Sequence, residues 1–172
     1  MPTPDSTAAP SPAPSALDWS TENCQVGRAM SVLGDRATLV VLREVINGVR
    51  RFEDMQRHSG VNRQVLSSRL ATLVEHEILR KVPYQPEGER LRYEYRLTPK
   101  GLDLYPVLAA LAEWGARYLA GPEGPAVEVA HRDCGAEVHT ALVCEDGHTV
   151  TDPRQVVTRP GRGARPIRVG GR

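Results

Sequence analysis

The sequence predicts a mainly α fold of the α+β type, and three observations predict it. Between residues 24 and 77 apolar residues recur at helical spacing in four blocks, the first three closed by Gly34, Gly48 and Gly60. Between residues 79 and 97 the pattern becomes that of two short β runs around a stretch containing Pro and Gly. From Pro99 to about Leu119 helical spacing returns, now with apolar residues on more than one face.

The elements follow in chain order. Residues 1–16, "MPTPDSTAAPSPAPSA", are Pro/Ala/Ser-rich and are expected to be a disordered tail, with order beginning near Leu17 to Trp19. A first helix is expected from about Cys24 to Leu33. A second follows in "DRATLVVLREVING", with Asp35 as its cap and Leu39, Leu42, Val45 and Ile46 as its buried stripe. "RRFEDMQRHSG" supplies a short third helix, with Phe52 and Met55 turned inward. The fourth lies in "GVNRQVLSSRLATLVEHEIL", with Asn62 as N-cap and an end near Glu77. At about 100° per residue its Leu66, Leu70 and Leu73 form one seam, while Gln64, Ser67, Ser68, Ala71 and Glu75 fall opposite. "LRKVPY" and "LRYEYRL" are expected strands, and "QPEGER" is the hairpin tip between them. "TPKG" restarts a helix with Thr98 as cap and Pro99 at its first position, and Pro106 is expected to kink it.

Three helices, the last two separated by a short Gly-containing turn, and then a β-hairpin make the order of a winged helix-turn-helix. In that arrangement the second helix of the pair enters the major groove of double-stranded DNA, which is about 12 Å wide, N-terminal end first. The face opposite the leucine seam suits base edges: Gln bonds adenine, Arg bonds guanine, Ser bonds either, and Ala meets a thymine methyl. Asn62, Arg63, Gln64, Ser67, Ser68 and Ala71 are therefore the candidate base-reading residues. Arg50 and Arg51 before the third helix, with Arg90 and Arg92 on the wing, are the candidate phosphate contacts. Net charge is only +1, so any basic patch has to be local. The last helix shows Leu104, Leu108, Leu111, Trp114 and Tyr118 over a surface too wide for one small domain to cover. A second copy in a symmetric homodimer is the simplest cover.

On these residues the chain resembles the HxlR-type family of bacterial winged-helix regulators, relatives of the MarR group. The resemblance runs from Cys24 to about Leu119, through "LGDRATLVVLREVINGVRRFEDMQ", "VLSSRLATLVEHEILRKVPY", "YEYRLTPKGLDLYPVL" and Trp114–Gly115. Its most specific parts are "G-x-R-R-F" at 48–52 and "Y-x-L-T-x-K-G" at 95–101. It implies a dimeric repressor or activator on near-palindromic operators, with dimer contacts through the first and last helices. The family usually has Trp where this chain has Ala37, which bears on local packing. The resemblance also places Cys24 where some relatives sense oxidants or electrophiles. A thiol at a helix N-terminus one turn before Arg28 fits such a role, and a small packed residue at the dimer interface fits equally. The other route for a signal is a small ligand in a cleft between the dimer helices and the winged domain.

"GPEGP" at 121–125 marks a break, so residues 17–120 form the expected DNA-binding and dimerisation domain. Residues 121–150 form an expected ribbon-like hairpin extension, and 151–172 a flexible basic tail whose stretch 154–172 holds six Arg and no acid. In the extension, His131-x2-Cys134 and Cys144-x3-His148 repeat the paired spacing of a zinc ribbon, with His139 between them. Some family members carry a second Cys-x2-Cys there; here Gly147 occupies its last position and His148 would substitute. A ribbon without metal is the competing reading, and no cofactor is otherwise expected.

No run of 18 apolar residues suggests a membrane span, and the N-terminus has neither basic nor apolar signal-peptide regions, so a cytoplasmic protein is expected. No nucleophile motif or glycine-rich phosphate loop accompanies the Cys and His residues, so the chain does not read as an enzyme. The alternative class is a winged-helix protein-interaction module with a metal-held ribbon.

Overall fold

The computed structural model describes residues 19–167, so the expected tail at 1–16 lies outside the described residues. Four helices come first: α1 (Gln25–Leu33), α2 (Arg36–Ile46), α3 (Phe52–Ser59) and α4 (Arg63–Glu75). A hairpin follows, β1 (Leu79–Tyr84) and β2 (Arg92–Leu97), then α5 (Pro99–Leu102) and α6 (Tyr105–Leu119). A second, two-residue hairpin pairs β3 (Leu142–Val143) with β4 (Thr149–Val150). The result is the mainly α, α+β winged helix-turn-helix read from the sequence.

Local chemistry explains the boundaries. Asp35 caps α2, its Oδ1 accepting from the amides of Ala37 and Thr38. Gly60 ends α3 with φ 66°, a conformation that suits glycine. Asn62 caps α4 by accepting from the amide of Gln64 at 2.9 Å. At the far end of α4, Ile78 N donates to Leu73 O and Glu77 N to Val74 O, a Schellman closure that forces Glu77 to φ 56°. The helix thus stops at Glu75, two residues before the expected end.

One core holds these elements. Val41, Leu42 and Val45 of α2, Met55 of α3, Leu66, Leu70 and Leu73 of α4, and Ile78 and Leu79 form it, with Leu33 at its edge. The α4 seam is as expected. The α2 stripe is rotated: Val41 is fully buried, whereas Leu39 and Ile46 are only half-buried, because α3 and α4 both pack on α2 from the Val41–Val45 side. Glu44 is also fully buried on that side, ion-paired with Arg43 and with His58 Nδ1 2.6 Å from its Oε2. Leaving that carboxylate unpaired would be costly, so the pairing ties the end of α3 to α2.

The expected single helix from Pro99 to Leu119 is two. Thr98 Oγ1 accepts from Gly101 N and donates to Glu77 O at 2.5 Å, locking α5 beneath the end of α4. A Cβ on Gly101 would lie 2.2 Å from Ile78 O, so only glycine allows the two backbones to come so close. The chain breaks at Asp103–Leu104 and restarts with Pro106 in the first turn of α6. There proline ends no helix, because its missing N–H is not needed. Leu104 and Leu108 pack against the core, so they serve the fold of one chain as well as any partner face.

Candidate nucleic-acid interface

α3, the turn at Gly60–Asn62 and α4 form the helix-turn-helix. Ser59 stiffens the turn: its hydroxyl donates to Met55 O at 2.6 Å and accepts from Val61 N at 3.2 Å. With Leu66, Leu70 and Leu73 wholly buried, the opposite face of α4 must point outward. Asn62, Arg63, Gln64, Ser67, Ser68 and Ala71 all lie on that face and line one open groove together with Phe52. All six candidate base-reading residues are thus on a single surface.

The groove is lined by uncharged residues apart from one cation, Arg63. Arg63 is held over the Phe52 ring with its guanidinium carbon 4.9 Å from the centroid, which limits its freedom at the start of α4. Arg51 lies over the Tyr84 ring at 4.7 Å. The backbone at 50–51 touches the two-stranded wing at one isolated bridge, Arg51 to Glu94, with Tyr95 N donating to Arg50 O at 2.9 Å. Arg50 and Arg51, distant in sequence from the wing, are therefore part of its base. At the wing tip Arg92 is ion-paired with Glu89 at 2.8 Å, which reduces its value as a phosphate contact. No ion pair to Arg90 occurs among the described residues, and that side chain is exposed.

Sequence reasoning missed three contacts that orient this surface. Arg69 reaches from α4 to Asp35 at 3.2 Å, so the residue that caps α2 also holds the recognition helix. Glu44 anchors α3 through His58. Phe52 was assigned inward, yet it also forms the shelf under Arg63. Each depends on which side chains the packing brings together, and no spacing rule announces them. Burial also raises the Tyr95 phenol above its ordinary pKa, with Glu53 nearby adding to the shift.

The remaining candidates lie elsewhere. On α6, Leu111, Trp114 and Tyr118 are exposed, Trp114 by 55% and Tyr118 by 61%, and Val26 and Met30 are exposed on α1. Trp114 and Tyr118 contact each other at 5.5 Å between ring centroids. Cys24 is half-buried at the N-cap of α1 and lines one groove together with residues 158–164. The segment expected to be a flexible tail is therefore docked in part. Ser20 N donates to Arg165 O, Asn23 Nδ2 donates to Gly163 O, and Trp19 bridges Pro166. Its backbone hydrogen bonds to the N-terminal segment outweigh the charge pattern that suggested free movement. His131 lies beside Cys134, and Cys144 beside His148, but the four do not gather into one cluster among the described residues; Cys144 and His148 are joined by Asp146 instead. His139 is near Glu113 and Glu137 rather than either pair.

Known proteins agree with this geometry. Residues 32–123 match the family model described as HxlR-like helix-turn-helix. An HTH-type transcriptional regulator of Mycobacterium tuberculosis, Rv3095, is 42% identical over 149 residues, covering 87% of this chain and 93% of its own. The crystal structure of PA1607, described as a candidate transcription factor, superposes with a TM-score of 0.69 at 32% identity, covering 81% of this chain and 96% of that one. A second candidate transcription factor, PA1374 from Pseudomonas aeruginosa, gives 0.57 at 31% identity, covering 83% and 95%. No helix among the described residues is long and apolar enough to cross a membrane.

Proposed function

The chain belongs to the HxlR-like helix-turn-helix family of transcriptional regulators, and from that premise we propose that it acts as a homodimeric repressor on a near-palindromic operator. The observation that carries this reading is the α4 face: a hydrogen-bonding strip of Asn62, Gln64, Ser67, Ser68 and Ala71 lining one groove, with Arg63 its one charged member. Lysines along that strip would grip phosphate without reading sequence, and acids would repel DNA. In the proposed complex α4 lies in the major groove, with Gln64, Ser67 and Ser68 at base edges and Ala71 against a thymine methyl. Arg90 and the arginines at the wing base contact phosphates. Two copies joined through α6 and α1 place their recognition helices on half-sites about 34–36 Å apart, one turn of DNA.

The test is a gel shift on the protein's own promoter and on random DNA across a salt series. Gln64→Ala with Ser68→Ala is expected to change sequence preference, costing about 1–3 kcal/mol of discrimination at each base pair read. Arg90→Ala is expected to weaken binding to all sequences alike and to lower the salt slope by about one. Equal loss on operator and random DNA for the first variant would remove the base-reading assignment. A folded dimer with no shift at low salt would favour a protein-interaction module.

A further inference from the structure

We propose that the C-terminal hairpin binds one zinc-class divalent cation through Cys144, Asp146 and His148. This does not rest on the DNA-binding reading. Among the described residues these three form the group whose ligand atoms converge, the Cys144 sulfur, an Asp146 carboxylate oxygen and a His148 ring nitrogen all lying within 4.8 Å of one another. The side chains are exposed, so an ion reaches them without unfolding anything.

The turn that gathers them is built for closeness. Cys144 N donates to His148 O at 3.0 Å and Gly147 N donates to Cys144 O at 2.9 Å, folding the five residues back on themselves. Gly147 takes φ 82°, which a side chain would resist. The flanking strands pair Val143 with Thr149 and Leu142 with Val150, fixing both ends of the turn. As a result Cys144 Sγ lies 3.5 Å from His148 Nδ1. Tetrahedral zinc, with Zn–S near 2.3 Å and Zn–N near 2.0 Å, separates two such ligands by about 3.5 Å. Gly147 stands where a second cysteine would complete a Cys-x2-Cys pair, and His148 one place along supplies a ring nitrogen instead, with an Asp146 carboxylate oxygen beside it.

The donor set selects the ion. A thiolate with an imidazole suits zinc or cobalt, whereas calcium and magnesium take oxygen ligands. Three protein ligands leave a fourth position for solvent. The preceding turn repeats the geometry in miniature: Gly135 takes φ 70°, Gly135 N donates to His131 O, and His131 Nδ1 lies 3.2 Å from Cys134 Sγ. It brings two ligands and no third, so the site is placed in the second turn and His131 and Cys134 are left outside it.

Full-length protein, freed of metal with a chelator, is titrated with Co2+ alone and then with Zn2+. The expected result is one equivalent of Co2+, with the thiolate-to-cobalt absorption and visible bands of a near-tetrahedral ion, displaced by one equivalent of Zn2+. Cys144→Ser is expected to abolish the thiolate band. Asp146→Ala and His148→Ala should keep the far-ultraviolet circular dichroism of the wild type and bind at least tenfold more weakly. Cys24→Ser and Cys134→Ser should titrate as wild type. Absence of cobalt bands in the wild type would overturn the proposal. So would loss of binding in Cys134→Ser equal to that in Cys144→Ser, since the ion would then bridge both turns.

Discussion

Two residues show how a single backbone position can govern the winged domain. Gly101 sits where the end of α4 and the start of α5 meet, and an added Cβ would fall 2.2 Å from Ile78 O and 3.0 Å from Leu97 Cδ2. Gly101→Ala is therefore expected to lose about 1–3 kcal/mol of stability, read as a lower midpoint in urea denaturation with an unchanged slope. Glu77 is the opposite case, a non-glycine residue held at φ 56° by the Schellman closure. Glu77→Gly is expected to gain about 1 kcal/mol in the same measurement, because glycine adopts that conformation without the Cβ penalty. The glycine in "TPKG" was visible in the sequence as part of a motif, but its reason was not, since the carbonyl it must avoid is 23 residues away. Asn62, Asp35 and Thr98 were legible as caps because capping is local chemistry. The Arg69–Asp35 pair was not, because nothing local links α4 to the start of α2.

At the level of elements, the sequence pattern predicted α4, β1 and β2 well, for different reasons. In α4 burial repeats with the helical period, whereas in β1 and β2 it does not alternate, with Leu79 buried, Val82 and Tyr84 half-buried and Tyr93 exposed, so β-prone residues and the turn between them identified the strands. The helix after "TPKG" was harder, since α5 is fixed by its contact with Ile78 and α6 starts afresh from Leu104. The small C-terminal hairpin docks on α6 through Thr140, whose amide donates to Glu113 Oε2 at 2.9 Å and whose hydroxyl donates at 2.5 Å. These hydrogen bonds, with His139 and Arg117 nearby, hold the Glu113 carboxyl below its ordinary value of 4.5. A lowered folded-state pKa means that the contact is fully present above the ordinary glutamate value and is lost as pH falls through the folded one. The protection of the Thr140 amide, its exchange rate relative to the intrinsic rate at each pH, is thus expected to fall on acidification below about pH 4.5. Glu113→Gln should exchange faster at neutral pH and show little of that dependence.

At the scale of the whole molecule, α6 and α1 both leave large apolar side chains exposed. Leu111, Trp114 and Tyr118 on the one and Val26 and Met30 on the other are exposed in a single chain, although their hydrophobic character favours burial. If the protein is the homodimer proposed above, Trp114→Ala with Tyr118→Ala is expected to move it from dimer to monomer in analytical ultracentrifugation while leaving its helical content intact. Operator affinity should fall with it, since one monomer holds one half-site. A variant that remains dimeric would locate the subunit contact elsewhere. The segment at 158–166 adds a contact at this scale, lining a groove with Cys24 and joining the two ends of the described chain.

By itself the sequence determined the order of elements, the leucine seam of α4, the outward strip from Asn62 to Ala71 and the family resemblance. The first three follow from local propensity and from the requirement that one face of each element leave water; the resemblance rests on the residues of particular motifs. Tertiary structure alone decided that Arg50 and Arg51 belong to the base of the wing, that Glu44 is buried against His58, that Leu104 and Leu108 serve the core, and that Asp146 rather than His131 or Cys134 joins Cys144 and His148. Those outcomes depend on where separate segments come to rest against one another. That placement is set by the packing of the shared core and by turn geometry, which the spacing of residues along the chain does not encode.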